Sequence, residues 1–167
     1  GLINSQGMKC EDSVNIVKSQ GTIDKIKIVD SDFDGLDIDI SNIYIKNIDI
    51  QDAKNDCLDL SFGNYKFNII RLEHCKDKAI SVGEKSFLNA VDTVTSDSNY
   101  GIVSKDSSRV TIVNFKSIRN RYCVAAYKKK QEFDGGFLKI ENLQCKDFDK
   151  KIDIDDFSEI FINNHKS

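Results

Sequence analysis

One spacing constrains this chain more than any other feature: an apolar position recurs every 22 residues, five times in succession. The residues at that position are Val14, Leu36, Leu58, Ile80, Ile102 and Val124. A fixed period of this size is typical of solenoid proteins, in which each repeat forms one coil and contacts only its neighbours. The period therefore predicts a stack of coils rather than layers packed around a compact core.

The apolar residues alternate within each repeat, as in Leu36 and Ile38 or Leu58 and Leu60. Alternation indicates β-strands, and no segment shows the three-to-four-residue spacing of an amphipathic helix. The helix and the Leu/Asn signature of leucine-rich repeats are both missing. We therefore predict an all-β fold, a right-handed single-stranded parallel β-helix of about seven coils with ~22 residues each.

The predicted domain boundaries follow from the repeat. Residues 1–10 precede the first coil and are expected to be a lead-in or a cloning remnant, while 11–167 form the β-helix domain, expected to be part of a longer protein. Open coil ends expose unpaired backbone groups. We therefore expect a neighbouring domain or a second copy of the chain to contact the uncapped ends.

Charge and hydropathy exclude two classes of partner. The 24 basic and 27 acidic residues are well mixed and give a net charge of −3, whereas nucleic-acid-binding proteins usually carry a basic patch. No apolar run approaches the roughly 20 residues of a membrane helix. We predict neither nucleic-acid binding nor membrane insertion. No signal peptide is visible in this fragment, so cell-surface, extracellular and cytoplasmic locations all stay open.

The five cysteines show no zinc-binding spacing. Cys57 and Cys123 occupy the same position three coils apart, which corresponds to about 14 Å, and a disulfide needs Cα atoms within about 7 Å. We expect both to be packed free thiols. His74 has no second histidine nearby in the repeat, so no metal site is predicted there.

Two irregularities interrupt the repeat. After Val124 the next equivalent residue is Ile152, 28 residues later, which predicts a six-residue insertion within 128–136. Insertions in solenoids form loops, often on the binding face. In the fifth coil, Val91 and Val94 are expected to replace the inward isoleucine pair.

Acidic residues stack in the second and third coils. Asp37 and Asp59 are one coil apart, with Asp39 close by, so their carboxylates should lie about 4.8 Å from each other. Such carboxylates share a proton or a cation, and similar pairs act in glycoside hydrolysis. We predict catalysis by Asp37 and Asp59 or calcium binding by all three. A solvated polar ladder is the alternative.

A second cluster lies where the insertion leaves the coils. Glu84 and Lys105 are the predicted catalytic residues there, because a mixed-charge group can position a general base. The predicted ligand-binding residues are Asp106, Tyr127, Lys128, Lys130 and Glu132. The alternative is a network of surface salt bridges, which contributes little to stability.

Three segments resemble the pectate-lyase-like superfamily of right-handed parallel β-helices: DCLDLS at 56–61, DKAISVGE at 77–84 and GIVSKDSS at 101–108. The resemblance covers roughly residues 10–160 and concerns the architecture. It implies an association with polysaccharides, since the superfamily includes lyases, hydrolases, epimerases, esterases, phage depolymerases, adhesins and non-catalytic binding domains. By this resemblance, Asp37, Asp39 and Asp59 match calcium-binding carboxylates, and Lys105 or Arg121 matches a basic residue.

This sequence also departs from the enzymes of that superfamily. The paired-aspartate and Gly-His motifs of polygalacturonases are missing, as are long substrate-binding loops. The prediction is therefore a glycan-binding or accessory module of a larger bacterial protein. The alternatives are a polysaccharide lyase, hydrolase or epimerase, and a structural or oligomerising solenoid.

Overall fold

A computed structural model describes residues 1–163, and every regular element in that range is a β-strand. Residues 164–167 of the predicted domain lie outside it. The strands form a parallel β-solenoid of about seven coils, which confirms the predicted fold class. Each coil contributes one strand to each of two parallel sheets.

The first sheet, sheet A, contains eight long strands in sequence order. They are β1 (Leu2–Met8), β3 (Gln20–Ser31), β5 (Asn42–Ala53), β7 (Asn64–Cys75), β9 (Phe87–Ser96), β11 (Arg109–Ile118), β13 (Phe137–Lys146) and β15 (Glu159–Ile162). Residues 1–10, predicted to be a lead-in, contain β1, which pairs in parallel with β3.

The second sheet, sheet B, contains seven shorter strands. They are β2 (Asp12–Val17), β4 (Asp34–Asp39), β6 (Leu58–Ser61), β8 (Lys78–Gly83), β10 (Tyr100–Lys105), β12 (Tyr122–Tyr127) and β14 (Lys150–Ile154). Neighbouring strands of this sheet from β2 to β12 pair with an offset of 22 residues, so Leu36 aligns with Leu58 and Leu58 with Ile80.

The core is a column between the two sheets. Sheet B contributes alternating inward residues such as Leu58 and Leu60, and sheet A contributes residues such as Ile48 and Ile70, all at most 1% exposed. Burying one such side chain contributes about 1.5–3 kcal/mol. The column therefore accounts for the periodic apolar pattern that predicted it.

Small residues precede the first inward residue of the sheet-B strands β2 to β12, because the next coil lies close above. A Cβ on Gly35 would lie 2.6 Å from the carbonyl oxygen of Cys57, and one on Gly101 would lie 2.5 Å from that of Cys123. Larger side chains at these two positions would push the coils apart.

The predicted replacement of the isoleucine pair by Val91 and Val94 is wrong. Asn64 pairs with Phe87, a step of 23 residues, so Thr93 and Thr95 occupy the buried positions and Val91 is exposed. The turn at Glu84–Lys85, where both residues have positive φ, accommodates the extra residue. A shift of one residue moves every side chain to the opposite face of a strand.

The prediction of free thiols at Cys57 and Cys123 is also wrong. Cys57 is bonded to Cys75 and Cys123 to Cys145, with Cα separations of 5.3 and 6.1 Å. Each disulfide joins the start of a sheet-B strand to the end of the following sheet-A strand, across one corner of the coil. The sequence argument compared only cysteines at the same position of different coils, and it therefore excluded only a bond between Cys57 and Cys123. Cys10 is free and exposed.

Within residues 1–163 there is no helix long and apolar enough to cross a membrane.

Candidate functional site

The outward face of sheet B is unusual because its central positions are buried. Ser81 in β8, Val103 in β10 and Ala125 in β12 point away from the core, yet all are 0% exposed. Larger residues occupy the flanking outward positions. These residues, named here the lysine–tyrosine cluster, are Lys78, Tyr100, Lys105 and Tyr127.

Lys78 is buried between two carboxylates. Its Nζ donates to the Asp77 carboxylate and lies 3.4 Å from Asp56 Oδ1, which also accepts the Lys78 backbone N–H at 2.9 Å. Burial by itself would lower the pKa of Lys78, but the charges of Asp56 and Asp77 raise it above its ordinary value. Burial raises the pKa of Asp56. Lys78 is therefore positively charged, and the carboxylates of Asp56 and Asp77 compensate its charge.

Lys105 differs from Lys78 because no carboxylate of the described chain lies within ion-pair distance of its buried ammonium. The residue is 6% exposed, and its Nζ donates to Ser81 Oγ at 2.8 Å. Among residues 1–163, no carboxylate forms an ion pair with it. Gly83 makes this path available, since a Cβ there would lie 2.9 Å from Lys105 Cε. Asp77 interacts with this charge only from beyond ion-pair distance, and a buried charge without direct contact to a counter-charge is costly.

The tyrosines line the upper part of this face. Tyr100 and Tyr122 stack with ring centroids 4.5 Å apart. Beside them lies a shallow cavity of about 360 Å³, lined by Tyr100, Tyr127, Lys128, Asp153, Ile154 and Asp155. Burial raises the pKa of Tyr127 to about 12, so its hydroxyl stays protonated at neutral pH. The cavity thus combines aromatic surface with carboxylates that accept hydrogen bonds.

Carboxylates occupy the lower part of the same face. This aspartate cluster comprises Asp12, Asp34, Asp37, Asp39 and Asp59. Asp37 aligns with Asp59, as predicted from the period. Burial, then the charges of Asp39 and Asp59, raise the pKa of Asp37 to about 7, and burial raises that of Asp34 to about 6. Calcium binding at Asp37, Asp39 and Asp59 stays a prediction.

The insertion forms a loop over residues 128–136 that packs on the turns after sheet B. Asp106 is 0% exposed, and its Oδ1 accepts the backbone N–H groups of Lys129 and Lys130, each at 2.8 Å. Its Oδ2 is buried and has no hydrogen-bond partner in the described part of the chain. Lys130 Nζ lies 2.5 Å from Glu84 Oε1. Glu84 and Asp106 therefore anchor the loop.

The predicted mixed-charge cluster thus divides into two groups. Glu84, Asp106 and Lys130 hold the loop, whereas Lys105 and Tyr127 belong to the sheet face. Lys128 lies at the junction between the loop and the sheet face. Its backbone N–H donates to Asp155 Oδ2 at 2.7 Å, in the cavity that Tyr127 also lines. Glu132 is exposed in the loop. The catalytic and ligand-binding roles assigned to these residues stay predictions.

Sequence reasoning missed Lys78, Asp77 and Tyr100. A signal was available, because Lys78 and Tyr100 occupy the position that Asp34 and Asp56 hold in earlier coils. When the residue at one repeated position changes from acidic to basic or aromatic in successive coils, the chemistry of the face changes at that coil.

No known family model, curated protein or solved structure matches this chain. The assignment of function therefore rests on the geometry of the face.

Proposed function

We propose that the outward face of sheet B binds a polysaccharide chain, and that the solenoid is a glycan-binding or accessory module of a larger bacterial protein. The observation that carries this proposal is the buried Lys105 ammonium, which has no carboxylate within ion-pair distance among residues 1–163. An anionic or strongly hydrogen-bonding group of a ligand would supply the missing partner.

The surroundings of Lys105 support a sugar rather than a simple ion. The adjacent cavity presents Tyr100 and Tyr127 beside Asp153 and Asp155. Tyrosine rings offer rigid apolar surface with a polar tip, and carboxylates accept hydrogen bonds from hydroxyl groups. The face also continues over several coils, so it offers repeated positions to a repeating polymer.

The disulfides support an extracellular location for this activity. Two intramolecular disulfides, Cys57–Cys75 and Cys123–Cys145, are typical of proteins that fold in oxidising compartments. Polysaccharides of cell surfaces and the surrounding matrix are accessible there.

A titration with neutral and acidic oligosaccharides tests the proposal. The chain contains no tryptophan and five tyrosines, three of them at this face, so tyrosine emission should change when a ligand binds beside Tyr100, Tyr122 and Tyr127. We expect saturable binding of an acidic oligosaccharide and at least tenfold weaker binding by Lys105→Met. This variant should stay folded, because an apolar residue of similar length replaces a buried charge that has no direct ion pair.

Lys27→Met is the matched control, since Lys27 is exposed on the outer face of sheet A. It should bind like the unmodified protein. If no oligosaccharide of either class binds, or if both lysine variants bind equally well, the proposal is wrong.

A second candidate function is polysaccharide cleavage or epimerisation, and one observation favours it. The pKa of Asp37 is raised to about 7, which suits a general base at neutral pH. We expect any turnover of uronate-containing polymers to be lost in Asp37→Asn. An assay for new reducing ends and for unsaturated products, with and without calcium, would detect it. Polymers that stay intact under both conditions would exclude this candidate.

A further inference from the structure

The corner at the ends of the sheet-A strands β3 to β13 carries a row of ionisable residues. Six of them share positive φ values between 52° and 59° and so present their side chains at the same place in successive coils. This row, named here the corner row, comprises Asp30, Asp52, His74, Asp97, Arg119 and Asp147. It lies at a different edge of the solenoid from the insertion loop.

His74 sits between two carboxylates of this row. Its Nδ1 lies 3.2 Å from Asp52 Oδ1 in the coil below, and its Nε2 lies 4.0 Å from Asp97 Oδ2 in the coil above. A carboxylate beside Nδ1 holds the proton on that nitrogen and leaves the Nε2 lone pair free. The free lone pair therefore points towards the Asp97 side of the corner.

Glu73 completes a potential set of ligands. One ligand atom each from Glu73, His74 and Asp97 lies within 4.8 Å of the others. Two atoms bound to one tetrahedral zinc ion at about 2.1 Å lie about 3.4 Å apart. His74 Nε2 and Asp97 Oδ2 are 4.0 Å apart, so these two side chains must approach by about 0.6 Å, and the exposed Glu73 side chain by at most about 1.5 Å.

We propose that Glu73, His74 and Asp97 bind a divalent transition metal of the zinc type, with His74 coordinating through Nε2 and Asp52 orienting its ring. The imidazole favours such a metal over calcium or magnesium, which prefer oxygen ligands alone. The metal joins two successive coils at the corner, and water completes its coordination. The site is independent of the proposed glycan-binding face.

Arg119 competes with the metal for Asp97. Its Nε donates to Asp97 Oδ1 at 2.7 Å and its terminal nitrogen to Oδ2 at 2.6 Å. Metal binding must displace one of these two hydrogen bonds. Removing Arg119 should therefore strengthen the site, whereas removing a ligand should weaken it.

Zinc titration by calorimetry at pH 7.5 tests the proposal. The parent protein should carry Cys10→Ser and His165→Gln, because the free thiol and the second histidine could bind zinc separately. We expect one zinc ion to bind per chain. His74→Gln and Asp97→Asn should each weaken binding by at least about tenfold, Asp52→Asn should weaken it by about tenfold through ring orientation, and Arg119→Gln should tighten it several-fold.

Asp147→Asn is the matched control, since it removes one carboxylate from the same corner row away from His74. Its zinc affinity should equal that of the parent. Nitrogen NMR of the imidazole should show the shift on coordination at Nε2. The proposal is overturned by the absence of binding at about 100 μM zinc, by unchanged affinity in His74→Gln, by equal weakening in Asp147→Asn, or by weaker binding in Arg119→Gln.

Discussion

The lower and upper parts of the sheet-B face have opposite electrostatics on the same repeating backbone. In the aspartate cluster, Asp37 and Asp59 lie half-buried beside other carboxylates, and the pKa of Asp37 is raised. In the lysine–tyrosine cluster, Lys78 is buried more deeply but lies between Asp56 and Asp77, which neutralise it. Repetition of the backbone therefore does not impose repetition of the electrostatics.

This difference shows how a solenoid separates folding from chemistry. The inward residues must stay apolar in every coil, whereas the outward residues vary without changing the register. Like charges that destabilise one region and opposite charges that stabilise another can thus coexist one coil apart. Three changes test this contrast.

The largest expected effect comes from the disulfides, one beside each cluster. Cys57→Ala/Cys75→Ala and Cys123→Ala/Cys145→Ala should each lower the free energy of unfolding by about 3 kcal/mol, because the bonds close loops of similar length, 18 and 22 residues. Urea unfolding without reductant measures both losses. Cys10→Ser should change nothing, and thiol titration of the denatured, unmodified protein should find one free thiol. If only one of the two double variants lost stability, the coils around the two disulfides would unfold separately.

The insertion loop gives the next effect, and it acts on the upper part alone. Asp106→Asn weakens the acceptor for the Lys129 and Lys130 backbone groups and should lower the free energy of unfolding by about 2 kcal/mol. Trypsin should then cleave faster within 128–136. Glu132→Gln in the same loop is the control and should change stability by less than about 0.5 kcal/mol. Equal protease resistance in both variants would contradict the anchoring role of Asp106.

The smallest effects should have opposite signs in the two clusters. The pKa of Asp37 is raised from 3.8 to about 7, so the folded state holds the proton more tightly and stability falls as pH rises between those values. Asp37→Asn should remove this fall and stabilise the protein at pH 8 by about 1 kcal/mol, reduced by solvent screening.

Asp77→Asn is the matched change in the upper cluster. Burial alone would raise the pKa of Asp77, but hydrogen bonding to Lys78 lowers it below 3.8. The stabilisation is therefore present above pH 3.8 and is lost as pH falls below it. The variant should be less stable at pH 8 by about 1 kcal/mol. Urea unfolding at pH 4 and pH 8 measures both variants, and effects of the same sign would refute the contrast.

The period predicted the fold because it fixes which residues stack, and Asp37 beside Asp59 follows directly from it. The period does not fix the direction of a long side chain. The sequence predicts that Lys105 lies with Glu84, whereas in the structure the Lys105 side chain passes over Gly83 and donates to Ser81. Contacts between different positions were missed for the same reason, as with Cys57 and Cys75 or His74 and Asp97. The shift at Val91 came from one extra turn residue, which periodicity alone does not locate.

The insertion loop has a mechanical consequence. In an ordinary solenoid each coil touches only its neighbours, so the stack can peel from an end, one coil after another. Here Phe133 contacts Phe62, Lys130 contacts Glu84, and the loop backbone contacts Asp106, which ties the turns of three successive coils together. Amide hydrogen exchange in these coils should occur in one concerted opening, while the outer coils fray independently.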